Sequence, residues 1–141
     1  MFFAFSSFVM PAFARLPPSQ GIAAMQSINI TVLNRSFLGV FVGTAIVSIA
    51  LAVSALLPGW RGSGAGLRLA GALLYLLGTI AVTRVCHIPR NDALMALRPD
   101  DPAAVAQWTQ YLASWTSWNH VRKLAAVLAA APLMPPCAQT E

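Results

Sequence analysis

The stretch FLGVFVGTAIVSIALAVSALL, Phe37 to Leu57, decides the fold class: 21 residues without a charge. As an α-helix it reaches about 31 Å, which matches the hydrocarbon core of a bilayer. Gly39 and Gly43 form a GxxxG step inside it, a spacing that lets another helix approach closely. Pro58–Gly59 ends the run, and Trp60 and Arg61 follow where an interfacial belt is expected.

The totals agree with this stretch. The chain of 141 residues is 57% hydrophobic and 9% charged, against about 25% charged for an ordinary soluble domain. Its mean hydropathy is +0.67. One small core cannot hide that much apolar surface, so a bilayer is the expected partner. The formal net charge of +5 is no nucleic-acid signal. Its nine Lys and Arg are scattered, with Arg122–Lys123 the only adjacent pair, and form no basic patch. The two cysteines, Cys86 and Cys137, have neither CxxC nor zinc-ligand spacing.

Moving toward the C-terminus, Gly62 to Gly66 reads as a flexible turn and Leu67 to Val85 as the next span, with Arg68 and Arg84 snorkelling at its ends. Gly71 and Gly78 can pack closely against neighbours. Cys86 to Asp101 reads as the main polar loop, with the motif HIPRN placing His87 and Asn91 around Pro89. Asp101 as cap and Pro102 in the first turn open a last helix over Ala103 to Ala131. Its first turns are expected in the interface and its second half across the membrane. Pro132, Pro135 and Pro136 end it.

Toward the N-terminus, Met1 to Ala14 is apolar but too short to span. It has no basic region ahead of it, and is expected to be the second half of a transmembrane helix that Pro11 kinks or ends. Pro17 and Pro18 then break the chain, and Ser19 is placed to cap a new helix. That helix carries Ile22, Met25, Gln26, Asn29 and Leu33 on roughly one face and is too polar to span.

The expected architecture is therefore all-α: one domain, residues 1–141, forming a four-helix transmembrane bundle. Its spans are expected near 1–14 (the first helix truncated), 37–57, 67–85 and 112–133, with a short amphipathic helix between spans one and two. Arg15, Arg35, Arg84, Arg90 and Arg98 fall on one side, and Arg61 and Arg68 on the other. The positive-inside rule makes the first side cytoplasmic. The expected location is a bacterial inner (plasma) membrane.

Candidate chemistry concentrates in WTQYLASWTSWNHVR, Trp108 to Arg122. Trp108, Tyr111, Trp115 and Trp118 are spaced three, four and three apart, and one step of four reaches Arg122. On a helix this is a single stripe, with Asn119 beside it. The stripe either binds a planar aromatic ligand or packs helices and forms an interfacial belt. An arginine inside the membrane is costly, so Arg122 is either an anion clamp or a snorkelling residue. Gln26, Asn29, Asn91 and Asn119 are amides that either hold a polar ligand atom or tie helix ends together. His87 and His120 are candidate bases. Neither has carboxylate or cysteine companions at metal spacing, so no metal is expected. His120 lies about 100° round the helix from Asn119. No P-loop, GxGxxG or Ser/His/Asp arrangement occurs.

The segments FFAFSSFVMPAFARLPPSQGIAAMQSIN, FLGVFVGTA, LAGALLYLLGTIAVT, HIPRN and WTQYLASWTSWNHVR together resemble the DUF1772, or anthrone oxygenase-like, membrane proteins over nearly the whole chain. The most specific pieces are AMQxIN, Ala24 to Asn29, and WxxWNxxR, Trp115 to Arg122. The resemblance implies four transmembrane helices. It also implies, from fungal relatives, oxidation of an anthrone to an anthraquinone by O₂ without an evident metal or flavin. The family's first helix normally has further residues before FFAFS, and its loop usually reads NxPxN, where this chain has His87 at the first Asn.

On that reading the partners are the bilayer, a planar aromatic small molecule and O₂, with no nucleic acid and no cofactor. Arg122 and Asn119 would stabilise an oxyanion, and His120 or His87 would be the base. Trp108, Tyr111, Trp115, Trp118, Gln26, Asn29 and Asn91 would line or frame the substrate site. The alternative is a non-catalytic membrane scaffold or small-ligand-binding protein.

Overall fold

A computed structural model describes residues 1–60, 62 and 64–131. Among them the chain forms five helices and no strand. These are α1 (Phe2–Phe13), α2 (Pro18–Thr31), α3 (Arg35–Leu56), α4 (Ala65–Met95) and α5 (Ala104–Ala130). Among the described residues α3 and α4 are long and apolar enough to cross a membrane. α1 is apolar but shorter.

Local chemistry sets most boundaries. Asn34 caps α3 by accepting a hydrogen bond from the Phe37 amide at 2.9 Å. Leu57, ahead of Pro58, turns extended and stops the helix. α2 starts at Pro18, where a missing N–H costs nothing. Ser19 is therefore inside the helix, and it makes no capping bond there. Asp101 does not cap α5 either: Ala103 holds the cap position without a side-chain bond, and the Asp101 carboxylate accepts from the Ala103 amide at 2.9 Å in the turn before the helix. Arg61, Pro132, Pro135, Pro136 and Cys137 lie outside the described residues.

The largest correction concerns Cys86 to Asp101, expected as a loop. The helix that begins at Ala65 runs on through HIPRN to Met95. Pro89 does not break it, because the turn before it, Thr83–His87, is a π-helix. One extra residue in that turn moves the carbonyl that would otherwise meet the proline ring. The Arg90 guanidinium donates to the Cys86 carbonyl at 2.6 Å, so that group is satisfied. α1 repeats the device: a π turn at Phe5–Val9 precedes Pro11, and the helix continues to Phe13.

The hydrophobic core sits where α1, α2, the end of α4 and the first half of α5 meet. Met10, Ile22, Met25, Leu94, Ala104, Trp108, Tyr111 and Trp115 form it. Gly21 is required there, since an added Cβ would lie 2.7 Å from the Trp108 ring. α4 and α5 cross closely at Gly71 and Gly78, against Ala129 and Ala125, which bears out the close-packing role expected of both glycines. Gly39 and Gly43 do not serve this way. Nothing lies within 4 Å of the position of a Cβ at either.

Candidate functional site

α5 turns one face inward along almost its whole length: Trp108, Tyr111, Trp115, Asn119, Arg122, Ala125 and Ala129 are buried. The steps of three and four are those of a helical stripe. After Trp115 the buried line passes through Asn119, at i+4, and Trp118, at i+3, falls to the edge. Trp118 is 36% exposed and lies under the Arg90 guanidinium, 5.9 Å from its ring centre. His120 is exposed and does not line the interior. Its position about 100° round from Asn119 turns it outward. That removes His120 as a base for any chemistry inside the bundle.

Arg122 is the centre of the inward face. It is 6% exposed, and its guanidinium donates to Asn119 Oδ1 at 2.8 Å and to Thr83 Oγ1 at 3.2 Å. It is also sandwiched by rings, with its Cζ 4.7 Å from the centre of Phe2 and 5.3 Å from that of Trp115. Cation–π contacts of this kind are worth about 2 kcal/mol when desolvated, which offsets part of the cost of burying the charge. Snorkelling is therefore not what Arg122 does. Asn119 is fully buried. Its Nδ2 donates to the Phe2 carbonyl at 2.8 Å and to Ser6 Oγ at 2.6 Å, and so pins α1 to α5.

A second amide organises the other end. Asn91 Oδ1 accepts from the Tyr111 hydroxyl at 2.9 Å and from Trp115 Nε1 at 3.0 Å. Both aromatic polar ends are thereby satisfied, as buried Tyr and Trp require. The π turn of α4 aims Thr83 and His87 at the same region. The His87 ring meets Trp115 edge-on, 4.9 Å between centres at 85°.

Between these helices lies a cavity of about 500 Å³, a size suited to a small organic molecule. His87, Asn91, Asn29, Trp115 and Arg122 line it, so five residues singled out in the sequence converge on one space. Phe2, Phe5, Phe37 and Phe41 supply apolar walls. Several polar atoms of the lining are buried and unpartnered: Asn29 Nδ2, Arg122 Nε and both nitrogens of His87. The backbones of Val82 and Trp115 come near the imidazole without reaching hydrogen-bond geometry. Each buried donor left unmade costs about 1–3 kcal/mol. Three such side chains on one cavity leave polar atoms that a polar ligand atom or a water would satisfy. No three of His, Cys, Asp and Glu gather as a metal site among the described residues.

The remaining expected residues stand back from the cavity. Gln26 ties α2 to the end of α4 by donating to the Leu94 and Leu97 carbonyls at 2.9 and 3.0 Å. Trp108 packs on Gly21 and stacks on Tyr111 at 5.6 Å. Thr83, Phe2 and Ser6 were not singled out by the sequence reading. Thr83 had a signal: Thr79, Thr83 and His87 recur every four residues, one face of a helix that leads into HIPRN.

No curated protein and no solved structure matches the chain. The sequence profile described as anthrone oxygenase matches residues 34–132. That span contains α3, α4 and α5, hence Thr83, His87, Asn91, Trp115, Asn119 and Arg122, while Phe2 and Asn29 precede it. With well over half its length matched, and with Arg122, Asn91, Trp115, Phe37 and Phe41 of the cavity inside the match, the chain belongs to the anthrone oxygenase family.

Proposed function

We propose that this is an integral membrane oxygenase that needs no cofactor and oxidises an anthrone-like phenolic substrate with O₂ in the cavity beside Arg122. The membrane reading rests on α3 and α4, with α1 and α5 completing a four-span bundle in a bacterial plasma membrane. The observation that carries the catalytic reading is the set of unpartnered polar atoms on Arg122, Asn29 and His87 around an aromatic-walled space.

The reaction has modest demands. A methylene hydrogen beside the rings leaves as a proton, and the electron pair passes to the ring system as an enolate. The enolate carbon combines with O₂ to form a C–O bond, giving a hydroperoxide once a proton is added. Loss of the second methylene hydrogen and of hydroxide yields the quinone carbonyl and water. The protein must take a proton and stabilise an oxyanion. On this reading His87 takes the proton, and Arg122 and Asn29 donate to the enolate oxygen. Trp115 and the phenylalanines hold the ring plane. Asn119 and Thr83 are positioning residues that fix the guanidinium.

The test is O₂ uptake and quinone formation by the purified full chain on a panel of anthrones, beside two variants. Arg122→Leu is expected to lower kcat about 10²-fold or more, the typical effect of losing an oxyanion donor. His87→Asn recreates the family's usual residue at this place. As loss of a base it is expected to lower kcat about 10²-fold or more. Retained activity would instead reassign His87 to holding the ligand oxygen. A folded wild-type chain with no turnover on any anthrone would overturn the oxygenase reading in favour of a ligand-binding protein.

A further inference from the structure

All five helices contribute to the lining of the cavity, and part of that lining is exposed. α3 packs chiefly on α4. Between α3 and the pair α1–α2 lies the cavity itself, whose lining includes Ile30 near the end of α2, Leu33 in the link that follows it, and Phe37, Leu38 and Phe41 in the first turns of α3. Ile30 is 64% exposed, Leu33 66% and Leu38 39%. The opening is thus edged on this side by large apolar side chains that water would disfavour. Arg35, the first residue of α3, suits the headgroup layer, and Phe37 to Phe41 follow about 3 to 9 Å further along the helix axis. A gap at that depth between membrane helices faces acyl chains. The far side of the rim differs, since the exposed carboxylate of Asp92 stands there.

We propose that the ligand of this cavity enters sideways from the bilayer, between the end of α2 and the first turns of α3, and is a planar aromatic molecule dissolved in the lipid. The proposal rests on the functional reading above for the place where the ligand is bound, and adds the phase it comes from. The chemistry of the walls fits such an occupant. The route is apolar at Ile30, Leu33 and Leu38, and the stacked pair Phe37–Phe41, 5.6 Å apart at 19°, flanks it. The hydrogen-bond donors wait at the inner end on Arg122 and Asn29. A flat phenolic molecule slides in with its polar edge leading, so its oxygen is exposed to hydrocarbon for the shortest distance. The acyl chain of a phospholipid meets the same walls but leaves the inner donors unpartnered, which disfavours it as a lasting occupant.

The experiment needs no turnover, so it stands or falls apart from the oxygenase assay. The full chain is reconstituted in phosphatidylcholine–phosphatidylglycerol vesicles containing a phosphatidylcholine with a phenyl-diazirine on one acyl chain. Photolysis products are mapped by mass spectrometry. Labelling is expected on the interior residues Ile28 and Phe41 as well as on the outer face of α3 at Val40, Val47 and Val53. The non-reactive probe 9,10-anthraquinone, dissolved in the bilayer at about ten times its Kd, is expected to lower interior labelling about tenfold and leave the outer face unchanged. Leu33→Trp, which fills the mouth, is expected to lower interior labelling severalfold, and Asp92→Asn to have no effect. Leu38→Trp serves if Leu33→Trp does not fold, and the anthraquinone arm requires no variant. Labelling confined to the outer face would overturn the lateral route. Interior labelling that persists under anthraquinone would overturn the aromatic occupant and assign the cavity to lipid. Interior labelling obtained only with a water-soluble diazirine would place the entrance at the Asp92 side and overturn the proposal.

Discussion

α3 and α5 treat polar groups in opposite ways. α3 carries no charge after Arg35 and shows its apolar side chains outward. Ser48 and Ala55 alone among its residues are buried. α5 carries Arg122, Asn119 and three tryptophans, and it buries the arginine, the asparagine and two of the tryptophans. A soluble bundle would turn these helices the other way round. What lets α5 hold an arginine inside is the supply around it: a hydroxyl from α4, a ring from α1, and an amide from its own preceding turn that a carbonyl of α1 holds in turn. A helix without such partners meets lipid and must be apolar; a helix with them can be polar and central.

If that contrast is right, the heaviest losses come from removing a shared acceptor on the inner side. Asn91→Leu strands the Tyr111 hydroxyl and the Trp115 indole N–H, both of which donate to Asn91 Oδ1. At about 1–3 kcal/mol for each stranded donor, the variant is expected to lose about 2–6 kcal/mol. Thermal unfolding in detergent, followed by tryptophan fluorescence, would show it as a large drop in Tm. An unchanged Tm would mean that the two donors find other partners and that the buried amide does not hold the aromatic wall in place. Asn91→Asp keeps an acceptor at the same place and is expected to recover most of the loss if the acceptor is what matters.

How far the sequence allowed this to be read follows the same division. Phe37 to Leu57 announced its helix to within two residues at the start and one at the end, because a lipid-facing helix records its environment in hydropathy alone. The stripe from Trp108 to Arg122 announced a helix and a face. It puts Trp118 on the stripe and Asn119 beside it, and the structure reverses the two, since both flank the line from Trp115 to Arg122 and only the neighbouring helices decide. HIPRN was misread as a loop because proline normally ends a helix, and the π turn that accommodates Pro89 has no signature in composition. Thr83 and Phe2 become site residues only through contacts that cross 39 residues for Thr83–Arg122 and 117 for Phe2–Asn119. The four-residue spacing of Thr79, Thr83 and His87 marks a face for Thr83 but not its partner, and nothing local marks Phe2.

The contrast sharpens to a single atom at the glycines. Gly78 in α4 and Gly39 in α3 are both small residues in apolar helices, and by sequence each is an equal candidate for a close helix contact. A Cβ at Gly78 would press into the Cβ of Ala125, whereas one at Gly39 would meet nothing within 4 Å. Gly78→Ala forces α4 and α5 apart where Thr83 and Arg122 must meet, and is expected to cost about 1–3 kcal/mol. Adding Ala125→Gly removes the opposing methyl and is expected to restore much of the stability. Gly39→Ala adds a methyl group to open space and removes a flexible backbone position, so it is expected to be neutral or to stabilise by up to about 1 kcal/mol. The sign carries the argument. A Gly39→Ala variant as damaging as Gly78→Ala would mean that the outer face of α3 is itself packed, against a second helix from outside this chain. The apolar mouth beside it would then open onto protein, because the GxxxG face at Gly39 and Gly43 and the mouth at Leu38 share the same two turns of helix.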